Sequence, residues 1–175
     1  MQVEELEIDL GHTSQRLSHL FDAIVTSYPN SNIVSSPLSI YIALAMLAEG
    51  CSSTTFKELQ TICGFESETK VIPQVVQEML NMIYGGKIKG VTLRMSNSIY
   101  FNPNSDLNPA YANAVKSNYM AIAETVDFAD SNTIQLINNR ITEDTNGLLK
   151  NTIDKLDSKT ICVLVNTIYF KGFWQ

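Results

Sequence analysis

Twelve consecutive residues, Pro37-Leu-Ser-Ile-Tyr-Ile-Ala-Leu-Ala-Met-Leu-Ala48, carry one clearly polar side chain, Ser39. No other stretch constrains the fold as much. Ser36 is placed to N-cap this run, its hydroxyl accepting from an orphan amide of the first turn. Pro37 suits the first helical position, where no N–H is needed. The pattern predicts a helix over 37–48 with almost no wet face. Such a helix is a buried core helix or a membrane span, and a span needs roughly twenty residues. A central helix with other structure packed around it is therefore expected. Glu49-Gly50 ends it, with Gly50 expected in the left-handed conformation.

The flanking chain supplies candidates for that packing. Leu17, Leu20, Phe21, Ile24, Val25 and Tyr28 fall at helical spacing over 12–28, with Thr13 or Ser14 as cap. Ser52-Ser53-Thr54 opens a short helix to Ile62, with Glu58 placed for a capping box on Thr55 and Gly64 as the stop. A third amphipathic segment covers 71–84 and ends at Gly85-Gly86. Then the period changes. Leu93, Met95, Ile99 and Phe101 alternate over 91–101, which predicts a strand with one buried face. A helix at 110–118, a strand at 122–128 and a helix from Asp130 or Ser131 to Asn146-Gly147 follow. The last run, 160–170, is apolar without alternation and rich in β-branched residues, so a central strand covered on both faces is expected. Helices first and then strands mixed with helices indicate an α+β fold.

Composition narrows the function. An apolar content of 45% against 17% charged residues suits a globular core, and a net charge of −6 repels phosphate backbones, so nucleic acid is not an expected partner. No basic amphipathic helix argues for a membrane surface. The acidic start, Met1-Gln-Val-Glu-Glu-Leu-Glu-Ile-Asp9, lacks the form of a secretory signal. Cys51, Cys63 and Cys162 cannot all pair, and no Asn-x-Ser/Thr sequon occurs. These features favour a cytoplasmic protein, or one secreted without a recognisable signal; an extracellular protein whose signal has been removed is the alternative.

No enzyme is expected. His12 and His19 are seven apart, whereas zinc on a helix face takes i, i+4. Ser35 and Ser36 lack a Gly-x-Ser-x-Gly elbow. Cys51 and Cys63 read as buried thiols or loop residues rather than nucleophiles. No phosphate loop or dinucleotide fingerprint occurs, and no cofactor is expected.

Four blocks, in order, carry a family resemblance. They are Asn32 with Ser36-Pro37-Leu38-Ser39, Gly50 and 54–59; Ser96-Asn97-Ser98-Ile99-Tyr100-Phe101; Val126-Asp127-Phe128 with Ile137-Asn138 and Thr145-Asn146-Gly147; and the run from Leu164 to Trp174. Together they cover about 32–174, and the chain resembles the N-terminal half of the serpins, a family of protease inhibitors. The resemblance implies the first six helices and three strands of the large central sheet. It implies one domain whose C-terminal half, with the reactive loop and scissile bond, lies outside this chain. It also implies a monomer that traps a serine (or cysteine) protease by inserting the cleaved loop into the large sheet beside the strand at 160–170. A non-inhibitory or truncated serpin acting as a binding module is the alternative. Ser36, Ser39 and Asn166 match the family's "shutter", although Ser36 is equally an N-cap and Ser39 a tolerated small residue. Trp174 matches the "breach", and an aromatic capping the core fits there as well. The segment 71–84 has no Lys or Arg, so heparin is not an expected partner.

Overall fold

The computed structural model describes residues 10–65, 71–86 and 89–173, with side chains from Gln15 onward. The caps expected at Thr13 or Ser14, His12 and Trp174 lie outside these. The chain divides into two compact units, Met1–Val75 and Val76–Gln175.

The first unit is helical. It contains α1 (Leu10–Ser27), α2 (Pro37–Glu49), α3 (Ser53–Cys63) and the first turn of α4 (Val71–Gly85). The Ser36 hydroxyl accepts from the Ser39 amide at 3.3 Å, as an N-cap should, and Pro37 follows it. No residue of α2 is exposed, and Tyr41, Ile42, Ala45, Met46 and Ala48 are fully buried. Burying side chains such as Ile42 and Met46 contributes roughly 1.5–3 kcal/mol each. Helices α1 and α3 pack against α2, and the Tyr41 and Phe65 rings meet edge to face at 5.1 Å.

Three local expectations fail here. Gly50 has φ −95°, so α2 ends in ordinary right-handed geometry with the Gly50 amide donating to Leu47 O. Ser52 is the N-cap residue of α3 but makes no side-chain capping bond. The helix starts at Ser53, which carries Thr55 and Glu58 into its body, where no capping box can form. Gly64, by contrast, is left-handed at φ 66°, and its amide closes on Gln60 O.

The second unit holds the rest of α4, β1 (Val91–Phe101), α5 (Pro109–Tyr119), β2 (Ala121–Thr125), α6 (Ser131–Asp144) and β3 (Cys162–Gly172). Asn108 caps α5 and Asp130 caps α6, each through its side-chain oxygen. The sheet order is β2-β1-β3, with β2 parallel and β3 antiparallel to β1. Among the described residues β1 lies between the other two strands, and β3 pairs with β1 alone, with just Thr167 and Tyr169 buried.

The single buried face expected for β1 is also corrected, because Asn97 to Tyr100 are buried without a break. Facing partners in an antiparallel pair share a side of the sheet. Tyr100, Val163 and Val165 thus lie on one side, where α6 packs Ile137 and Ile141 onto them with Phe128. Asn97, Ile99 and Phe101 lie on the other, with Asn166, Leu164 and Cys162. Phe101 meets Tyr111 of α5 edge to face at 5.9 Å.

Candidate functional site

The register places Asn166 of β3 directly opposite Asn97 of β1. The Asn166 Nδ2 donates to Asn97 Oδ1 at 2.5 Å, and Asn97 Nδ2 donates to the Tyr119 carbonyl at 3.0 Å. A side-chain relay therefore runs from the edge strand through the central strand to the end of α5. Asn97 is 2% exposed, so this polar group is held in the interior by its two bonds. The relay is incomplete at its outer end. Asn166 Oδ1 and, on the opposite side of the sheet, Thr167 Oγ1 are buried without a hydrogen-bond partner. Each such orphan costs about 1–3 kcal/mol.

Ser36 and Ser39 form their own pair in the helical unit. The Ser39 hydroxyl donates to Ser36 Oγ at 3.0 Å, alongside the cap bond from the Ser39 amide. Ser36 therefore serves as an N-cap and also presents a hydroxyl pair at the start of α2. Asn166 belongs to the other unit.

Two features escaped sequence reasoning. Asn97 occupies the same strand phase as Leu93, Met95, Ile99 and Phe101. An amide in an apolar phase was the available signal. The second is Arg140 on α6, whose guanidinium grips Glu124 of β2 through two bonds of 2.9 and 3.0 Å and donates to the Tyr100 hydroxyl at 3.1 Å. Glu124, foremost, raises the Arg140 pKa above its ordinary value. Nothing in the sequence pairs residues 124 and 140 before the sheet register is known.

Features of catalytic interest point elsewhere. Cys63 is fully buried, and burial pushes its thiol up to about 11; Cys162 shifts the same way. Both thiols stay protonated at neutral pH, which makes them poor nucleophiles. His19 is exposed. Among the described residues, no three His, Cys, Asp or Glu side chains gather in a way suited to a metal ion.

A mixed sheet, crossed on one side by a helix and carrying a buried amide relay that ends at an open edge strand, defines an α+β protein of a specific kind. A sequence model of the serpins (serine protease inhibitors) matches residues 14–175, and the chain belongs to that family. Serine protease inhibitor 42Dd of Drosophila melanogaster is 33% identical over 165 residues, covering 92% of this chain and 44% of that protein. Human glycosylated kallistatin superposes with a TM-score of 0.81 at 28% identity, over 90% of this chain and 43% of its own. Emu ovalbumin gives 0.82 at 26% identity, over 95% of this chain and 47% of its own. The helices and strands described are the N-terminal part of the serpin fold, and the chain spans 39–45% of the length of the curated relatives it matches. No described helix is long and apolar enough to cross a membrane.

Proposed function

We propose that this chain is the N-terminal portion of a single serpin domain that inhibits a serine protease by loop insertion. The observation that carries the reading is the edge of β3: one side pairs with β1, and the other pairs with no strand among the described residues. An extended segment laid along such an edge gains main-chain hydrogen bonds. In the trap, the protease's nucleophilic oxygen attacks the scissile carbonyl, the amine side leaves with a proton, and an acyl-enzyme remains. The freed loop then inserts beside β3 and carries the acylated protease with it. The scissile bond, and with it the specificity, lies in the remainder of the longer protein. Helix α4 contains no Lys or Arg, which opposes heparin binding through it.

In this reading Ser36, Ser39 and Asn166 are the shutter that holds the sheet closed. The Asn166–Asn97 bond, which joins β3 to β1, supports the assignment of Asn166, at about 1 kcal/mol. Trp174 belongs to the breach where insertion begins. Asn166→Leu or Ser36→Leu in the full-length protein should lower the melting temperature and promote loop–sheet polymers on warming. An unchanged melting temperature with no polymers on a native gel would reject the shutter assignment.

The proposal as a whole is tested by incubating the full-length protein with a panel of serine and cysteine proteases and running a denaturing gel. A detergent-resistant band at the summed mass is expected with at least one serine protease. Degradation by every protease, with no such band, would favour the binding-module reading.

A further inference from the structure

The cap that ends α6 contains a chemically weak point. The Asn146 amide donates to Glu143 O at 3.1 Å and the Gly147 amide donates to Thr142 O at 2.7 Å, the two bonds of a Schellman motif. Asn146 holds the left-handed position at φ 53°, where glycine is the usual residue, and Gly147 follows at φ 82°. Both are exposed. The side-chain amides of Asn97, Asn102, Asn108 and Asn138 are all engaged in hydrogen bonds. That of Asn146 makes none among the described residues. Asn146-Gly147 is also the one Asn-Gly pair in the sequence. Beside glycine, no β-carbon obstructs attack of the main-chain nitrogen on the asparagine side-chain carbonyl. Neighbours do not obstruct it either, since nothing lies within 4 Å of where a Gly147 Cβ would stand.

We propose that Asn146 is a self-modification site, at which the chain deamidates when the cap of α6 opens. In the step, Gly147 N attacks Asn146 Cγ and a new C–N bond forms. The proton of Gly147 N leaves with the side-chain nitrogen as ammonia, and a cyclic imide remains. Water then opens one of the two imide C–N bonds, giving Asp or the isoaspartyl linkage. The nucleophile is the nitrogen whose N–H closes the cap, so cap and reaction exclude each other. Gly147 N cannot attack while it donates to Thr142 O, and the imide has no N–H to donate. The products fit the cap poorly as well. The last turn of α6 holds Glu143 and Asp144 and no basic residue, so a further carboxylate at 146 meets the negative end of the helix dipole. The isoaspartyl form inserts a methylene into the main chain between the two capping amides. A slow, uncatalysed reaction thereby loosens the end of α6 permanently.

The test incubates the full-length protein at mildly alkaline pH, where the attacking nitrogen is deprotonated more readily. Peptide mapping by mass spectrometry and labelling with an isoaspartyl methyltransferase follow position 146. A synthetic peptide of residues 140–152 gives the rate without a cap. Asn30, exposed and left-handed at φ 67° but followed by Ser31, is the internal comparison. Isoaspartate should form at Asn146 about tenfold more slowly than in the peptide, yet faster than at Asn30, and sub-denaturing urea should move the rate toward the peptide's. Thr145→Val removes a bond to Ile141 O (2.6 Å) and one from Leu149 N (3.1 Å) beside the cap, and should quicken the reaction severalfold. Asn146→Gly keeps the cap and should show no change on incubation. Incubated wild type should exchange amide hydrogens about tenfold faster over 141–148 than fresh protein does. No modification at Asn146 while the peptide deamidates would overturn the site. A rate equal to the peptide's, or one that neither urea nor Thr145→Val changes, would overturn control by the cap. Modified protein with the exchange of fresh protein over 141–148 would overturn the loss of the cap.

Discussion

Asn97 illustrates how one buried amide organises its surroundings. It accepts from Asn166 and donates to Tyr119 O, joining two strands and the end of α5. Asn97→Ala should lower the unfolding free energy by about 1–3 kcal/mol in a denaturant titration, with m unchanged. Combined with Asn166→Ala, the loss should fall short of the sum, because both changes break the same bond. Fully additive losses would mean the bond contributes nothing. Cys63 gives a pH-dependent case. Its folded-state value of about 11 lies above the 9.0 of an ordinary thiol. Its contribution is therefore whole below pH 9 and is lost as pH rises through about 11. Wild type should lose stability more steeply than Cys63→Ala over that window, and parallel curves would contradict this. At this scale, the sequence shows what depends on near neighbours. The Ser36 cap is legible because its partner is three residues away. Asn97, Glu124 and Arg140 are not, because their partners are set by strand register and helix placement.

Elements were legible in proportion to their length and period. The alternation over 91–101 marks β1 at both ends, and the apolar run at 37–48 marks α2 to within one residue. Their environments were less visible. β1 reads as half-buried because its alternation is real, but β2 and β3 flank it and α6 covers its far side at Tyr100. β3 reads as central because both its faces are apolar, and among the described residues it pairs with β1 alone. Composition reports what a strand is suited to, and pairing depends on which other strands are present. The segment after α6 follows no periodic pattern, yet it is ordered through Asn138, whose amide pairs with both main-chain groups of Ile153. Asn138→Ala removes two hydrogen bonds and should cost about 1–3 kcal/mol. It should also quicken hydrogen exchange over 148–157 more than over β1. Equal protection of the segment in variant and wild type would show that packing of Ile153 and Leu156 suffices to hold it.

For the whole molecule, the decisive fact is that, among the described residues, an apolar strand forms one limit of the sheet, in a chain that spans 39–45% of its curated relatives' length. An unpaired strand edge is a template for association. The 175-residue chain alone should therefore self-associate with rising concentration in sedimentation, and a concentration-independent monomer would speak against an accessible β3 edge. In the full-length protein the same edge is the proposed receiving site for the cleaved loop. Cutting a chain ordinarily leaves stability unchanged or lowers it, whereas insertion of a new strand raises it. The most direct measurement is the melting temperature of the full-length protein before and after a single protease cut in its exposed loop. The account predicts a rise on the order of 10 °C or more, since each kcal/mol moves the midpoint by only a few degrees. A midpoint that stays or falls would contradict insertion beside β3.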